Sequence, residues 1–245
     1  FVKRCIFALK GFNMKTIGLI GGMSWESTLL YYKLLNEGVK ERLGGLHSAQ
    51  IILHSVDFAP IARMQNEGRW DEASITLTQA ALSLEHAGAD VILLCTNTMH
   101  KMAPFITPYL KTPFLHIAEA TANALKKKRA KKALLLGTKF TMQESFYKDI
   151  LHFHGIDVLI PNDEEIQTIN QIIFSELCVG KIETQSLNFF VTLIQNYQKE
   201  YADLDAVILG CTEIGLLLHQ KDSTLPLFNT TTIHVDEALE YALNS

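Results

Sequence analysis

Two cysteines stand where their thiols could do chemistry. Cys211 ends the run Ala206-Val207-Ile208-Leu209-Gly210 and precedes Thr212-Glu213; Cys95 ends Val91-Ile92-Leu93-Leu94 and precedes Thr96-Asn97-Thr98. Short apolar runs without polar alternation read as parallel strands covered on both faces, and open α/β sheets bind ligands beyond the carboxyl ends of such strands. A thiol there can serve as a base if its ordinary pKa of about 8.5 is lowered, which helix N-terminal N–H groups can do. Two such strand ends brought face to face could take a proton from one side of a small substrate and return one to the other. The backbone N–H groups of Asn97, Thr98 and Thr212 could hold a substrate carboxylate and stabilise charge developing on it.

The elements that must position these groups alternate apolar runs with amphipathic stretches, the pattern of an α/β protein. Strands are expected at 16–20, 50–53, 91–94 and 114–117, then again at 133–136, 158–160, 206–209 and 225–228. Helices are expected at 24–43, 70–87, 118–129, 141–153, 164–178, 186–201 and 232–243, with Ser24 or Ser27 as the first N-cap. The second set repeats the first, Tyr147 echoing Tyr31 and Tyr32. The expectation is therefore an α/β fold of two pseudo-symmetric Rossmann-like lobes with parallel sheets and the active site in the cleft between them. Residues 14–113 with 225–245 form the first lobe and 114–224 the second, while 1–13 lie outside the fold.

Composition narrows the functional classes. The chain has 245 residues, 48% of them hydrophobic, with a formal charge of −4 and a pI near 6.1, which argues against nucleic-acid binding. The basic run Lys126-Lys127-Lys128-Arg129-Ala130-Lys131-Lys132 falls at a helix C-terminus, where cations meet the negative end of the macrodipole. No segment approaches the ~20 apolar residues of a membrane span. Cys5, Cys95, Cys178 and Cys211 form no CxxC or zinc spacing, so no metal site is expected and a reducing cytoplasm fits best. Gly18-Leu19-Ile20-Gly21-Gly22 lacks the spacing of a nucleotide loop and reads as a close approach of backbone to a small ligand. Cys178 and Trp25 read as core residues.

Cys95-Thr96-Asn97-Thr98 and Gly210-Cys211-Thr212-Glu213 resemble the paired signatures of the aspartate/glutamate racemase superfamily. Gly21-Gly22-Met23-Ser24-Trp25-Glu26-Ser27-Thr28 and Leu43-Gly44-Gly45-Leu46-His47-Ser48-Ala49-Gln50 are similar to its broad-specificity amino-acid racemase branch. The resemblance implies a cofactor-independent isomerase acting on a small amino-acid substrate, usually as a homodimer. It implies two-base proton transfer, with Met23, Ser24 and Gln65 lining the side-chain pocket. Glu213 would assist Cys211 or hold the substrate ammonium. A one-thiol decarboxylase or cis–trans isomerase of the same superfamily, or a non-catalytic amino-acid-binding protein, are the alternatives.

Two departures from the family pattern matter. Most members read Cys-Asn-Thr at the first site, whereas this chain has one residue more. Anchoring on Asn97-Thr98 gives the catalytic position to Thr96; anchoring on the thiol gives it to Cys95. We favour Thr96, because the Asn-Thr turn is what should grip the carboxylate. The arginine and lysine common in aspartate racemases are also missing: Val56-Asp57-Phe58-Ala59 supplies no arginine, and Thr168 aligns with the lysine. Substrates broader or less acidic than aspartate are then expected, with Arg63 and Arg69 on solvated helix faces.

Overall fold

A computed structural model describes residues 14–244; the expected 1–13 extension lies outside them. Two four-stranded, fully parallel sheets form the framework. In the first, β1 (Ile17–Gly21) pairs with β2 (Ile51–Ser55) and β3 (Val91–Leu94), and β3 with β4 (Phe114–Leu115), giving the order β2-β1-β3-β4. In the second, β5 (Lys132–Gly137) pairs with β6 (Asp157–Leu159) and β7 (Ala206–Gly210), and β7 with β8 (Leu227–Asn229), giving the same order, β6-β5-β7-β8. Both β1 and β7 are buried at every residue, which is why their sequences lack polar alternation.

This pairing corrects the sequence expectation for two strands. Leu225–Phe228 was expected to rejoin the first lobe and Phe114–Ile117 to open the second. Instead β4 closes the first sheet and β8 the second. The lobes exchange helices rather than strands, and short edge strands carry too little pattern to reveal that.

The helices in chain order are α1 (Trp25–Leu43), α2 (Phe58–Asn66), α3 (Trp70–His86), the single turn α4 (Ala103–Ile106), α5 (Ile117–Lys127), α6 (Lys139–Gln143), α7 (Ser145–Phe153), α8 (Asp163–Ser175), α9 (Thr184–Glu200), α10 (Ile214–Leu217) and α11 (Thr230–Leu243). Helix α5 leaves β4 of the first sheet yet buries Ile117, Ala118, Ala122 and Leu125 in the core of the second lobe. Helix α11 leaves β8 of the second sheet yet buries Val235, Ala238, Leu239 and Ala242 in the first. The echo between Tyr31 and Tyr147 has a structural counterpart. Fully buried Tyr31 on α1 bonds His234 of α11 at 2.9 Å, and fully buried Tyr147 on α7 bonds Thr121 of α5 at 3.1 Å. Each crossing helix is thus tied by a tyrosine of the lobe it joins.

Several local expectations change. The helix expected over 141–153 is two, α6 and α7, separated at Glu144, whose backbone is extended. Trp25 is not core but 64% exposed at the start of α1. Gly21 and Gly22 admit the protein's own chain rather than a ligand. A Cβ on Gly21 would strike the Thr28 side chain, and one on Gly22, whose φ is +95°, would strike the Val56 carbonyl.

Candidate active site

The carboxyl ends of β1, β3, β5 and β7 converge on one cleft between the lobes. From the first lobe it is lined by Met23, Ser24, Gln65, Thr96, Asn97 and Thr98. From the second it is lined by Gly210, Cys211, Thr212 and Glu213, with Thr138, Phe140, Ile173, Phe174 and Cys178 around them. The structure therefore brings together every sequence-expected site residue except Cys95.

Sheet register explains the exclusion. Leu94 pairs with Ile20 of β1 and Leu209 with Leu136 of β5, so the two leucines are in equivalent register and the residues two places past them are Thr96 and Cys211. Cys95 is one place earlier. Its N–H still bonds the Ile20 carbonyl at 2.9 Å, and strand alternation turns its side chain toward Tyr31, Leu35 and Val39 in the first-lobe core. Burial pushes its thiol pKa up. Thr96, in contrast, keeps partial access to the cleft.

Around Cys211 the polar groups form a chain. The thiol donates to Oε2 of Glu213 at 3.1 Å, and Oε1 of Glu213 accepts from the Ser24 hydroxyl at 2.7 Å. Ser24 is the N-cap of α1, so one hydroxyl that opens a first-lobe helix also fixes the second-lobe carboxylate. Cys211 and Glu213 are 6% and 5% exposed. Burial, and then the Glu213 charge, raise the Cys211 pKa well above its ordinary value. The resting group is a neutral thiol whose proton already points at a carboxylate.

On the opposite turn, the Thr96 carbonyl accepts from His100 Nδ1 at 2.7 Å, and the Asn97 amide donates to Thr230 Oγ1 at 3.1 Å. His100 is fully buried beside His116 and His234. Burial is the largest cause of their lowered pKa values, to about 4 for His116 and about 3 for His234. Gln65 is held by Met99 through an N–H···S contact at 2.6 Å.

Cys178 is the residue sequence reasoning missed. It occupies the turn Leu177–Val179 after α8, not the helix itself, and lines the cleft. Its thiol is pushed up to about 12, first by burial and then by Glu213 and Glu26. A helical apolar pattern running through Cys178 hid the break at Glu176. Arg63 is exposed and Arg69 pairs with Glu67 and Glu72, so neither reaches the cleft. No group of three His, Cys, Asp or Glu among the described residues is arranged to hold a metal ion, and none of their helices is long and apolar enough to cross a membrane.

The profile of the Asp/Glu/Hydantoin racemase family matches residues 20–238. The chain belongs to this family. It is 32% identical to the broad specificity amino-acid racemase RacX of Bacillus subtilis over 66% of this chain and 68% of that protein. A Yersinia pestis protein described as a candidate Asp/Glu racemase has a crystal structure that superposes with a TM-score of 0.87 at 48% identity, covering 94% of this chain and 100% of the other. An aspartate racemase homologue from Pyrococcus horikoshii OT3 superposes with a TM-score of 0.83 at 37% identity, covering 94% and 99%. The two pseudo-symmetric lobes are those of this superfamily, and the chain is an isomerase of the racemase type that works without pyridoxal phosphate.

Proposed function

We propose that this protein racemises free amino acids by two-base proton transfer, with Cys211 on one face of the α-carbon and Thr96 on the other. The observation that carries this is their equivalence in sheet register, two residues past paired leucines on opposite walls of one cleft. The backbone N–H groups of Asn97, Thr98 and Thr212 hold the α-carboxylate, and Glu213 takes the Cys211 proton so that the sulfur can remove the α-hydrogen. The ammonium of a bound amino acid next to Glu213 offsets the charge that otherwise holds the thiol neutral. By analogy with the family, Cys211 serves the L-enantiomer.

Among the described residues no lysine, arginine or histidine lines the cleft, whereas Met23, Phe58, Phe140, Ile173 and Phe174 do. This supports substrates whose side chains carry no distal carboxylate, within a broad range. The three described cysteines are unpaired, which fits work in a reducing cytoplasm. Trp25, Leu29 and Tyr32 form an exposed apolar stripe on α1, which suits the homodimer that the resemblance implies. The test is a panel of single-enantiomer amino acids followed by chiral chromatography without added cofactor. Conversion of neutral substrates ahead of aspartate and glutamate supports the reading. Binding without conversion, or release of carbon dioxide, overturns it.

A further inference from the structure

Two buried hydroxyls cross between the lobes in matching ways. Ser27 Oγ lies 2.8 Å from the Cys95 carbonyl, at the end of the first lobe's central strand, and 2.9 Å from Thr212 Oγ1 in the second lobe's turn. Thr230 Oγ1 lies 2.9 Å from the Leu209 carbonyl, at the end of the second lobe's central strand, and 3.1 Å from the Asn97 amide nitrogen in the first lobe's turn. Asn97 follows Thr96, and Thr212 follows Cys211. Each hydroxyl therefore ties one lobe's strand end to the residue beside the other lobe's proton-transfer position. Ser27 is 2% exposed and Thr230 fully buried, so water does not compete for these bonds.

A hydroxyl has one hydrogen, and a carbonyl can only accept. Thr230 gives its hydrogen to Leu209 and accepts from the Asn97 amide; Ser27 Oγ is placed to donate to both the Cys95 carbonyl and Thr212 Oγ1 and shares its one hydrogen between them. We propose that Ser27 and Thr230 are a pair of crossed braces that set the distance between Cys211 and Thr96 across the substrate, acting as positioning residues for inversion. Neither lines the cleft.

This inference rests on the two-base racemase reading, and its signature differs from that of lost folding. Removal of the α-proton needs one wall of the cleft, whereas inversion needs both walls in register. With a brace missing, Cys211 still takes the α-hydrogen, but protonation from the Thr96 face is delayed. During that delay the hydrogen held on Cys211 exchanges with solvent, and the carbanion is then reprotonated from the face it left. In D₂O this appears as deuterium in the recovered starting enantiomer.

The experiment measures racemisation and α-deuteration of recovered L-substrate in wild type, Ser27→Ala and Thr230→Val, with folding checked by thermal melts. Thr230→Ser, which keeps the hydroxyl, and Ser27→Cys, which weakens it, complete the series. The expected result is at least a tenfold fall in racemisation for Ser27→Ala and Thr230→Val, with a severalfold rise in washout per inversion that Thr230→Ser does not show. Should the deletion variants not fold, Ser27→Cys must still exceed Thr230→Ser in that ratio. Equal ratios across the series, whether rates fall or not, overturn the braces. A wild type that neither racemises nor exchanges overturns the parent reading instead.

Discussion

Cys211 and Glu213 share one hydrogen: the thiol donates to the carboxylate at 3.1 Å while Ser24 holds the other carboxylate oxygen at 2.7 Å. Glu213 thus does two opposed things. Its charge helps hold the thiol pKa up, and in the mechanism proposed here its oxygen takes that proton when the sulfur acts as a base.

Glu213→Gln separates these effects. Removing the charge lowers the Cys211 pKa toward its ordinary value, although burial, the larger cause, still holds it high. Thiolate absorbance followed against pH should show its midpoint move down. Turnover should nevertheless fall at least tenfold, because the amide cannot take the proton. An unchanged or higher midpoint would contradict the arrangement.

Cys211→Ser should lower turnover of the L-enantiomer by about a thousandfold or more, since a hydroxyl supplies almost no base near neutral pH. The swap barely changes volume, so the melting temperature should stay within a few degrees. Substantial turnover in the folded variant would remove Cys211 from its role.

Thr96→Cys should raise kcat for the D-enantiomer by placing a thiol on both walls, whereas Cys95→Ala should leave rates within a few-fold and act on stability, by about 1 kcal/mol or more. Enantiomers have equal free energy, so kcat/KM must match in the two directions. A low kcat from the D side must be accompanied by a low KM. Initial rates from both enantiomers check this, and a severe loss of D turnover in Cys95→Ala would contradict the register argument.

The histidine cluster predicts acid sensitivity. His100, His116 and His234 have folded pKa values below the ordinary 6.5, so on acidification the unfolded chain binds their protons first. Their contribution to stability is complete above pH 6.5 and is lost as pH falls toward about 4 for His116 and about 3 for His234. Each contributes a slope of up to about 1.4 kcal/mol per pH unit in that window. Urea melts between pH 7 and 4 measure it, and replacing His116 with Asn should flatten the curve. A curve no flatter than wild type would contradict this origin.

The sequence carried the strands and the two thiol-bearing turns because buried parallel strands print themselves as unbroken apolar runs. It favoured Thr96 over Cys95 only through the Asn-Thr turn, since one residue of offset is a question of pairing; Ile20 opposite Leu94 and Leu136 opposite Leu209 add support to the proposed role of Thr96. The placement of β4 and β8 was hidden for a related reason: two- and three-residue edge strands have little periodicity, and helix exchange between lobes leaves no local mark. Ser27 and Thr230 were illegible as braces. Each looks like an ordinary residue in the first turn of a helix, and its partners lie in another lobe.

The most direct measurement of two-base racemisation is single-turnover conversion of one L-amino acid in D₂O, reading chirality and α-label of substrate and product separately. The expected result is a D-product fully deuterated at the α-carbon while the remaining L-substrate stays largely unlabelled, because the face that loses the hydrogen is not the face that receives deuterium. Product that retains the original hydrogen, or no conversion of any amino acid by folded protein, would contradict it.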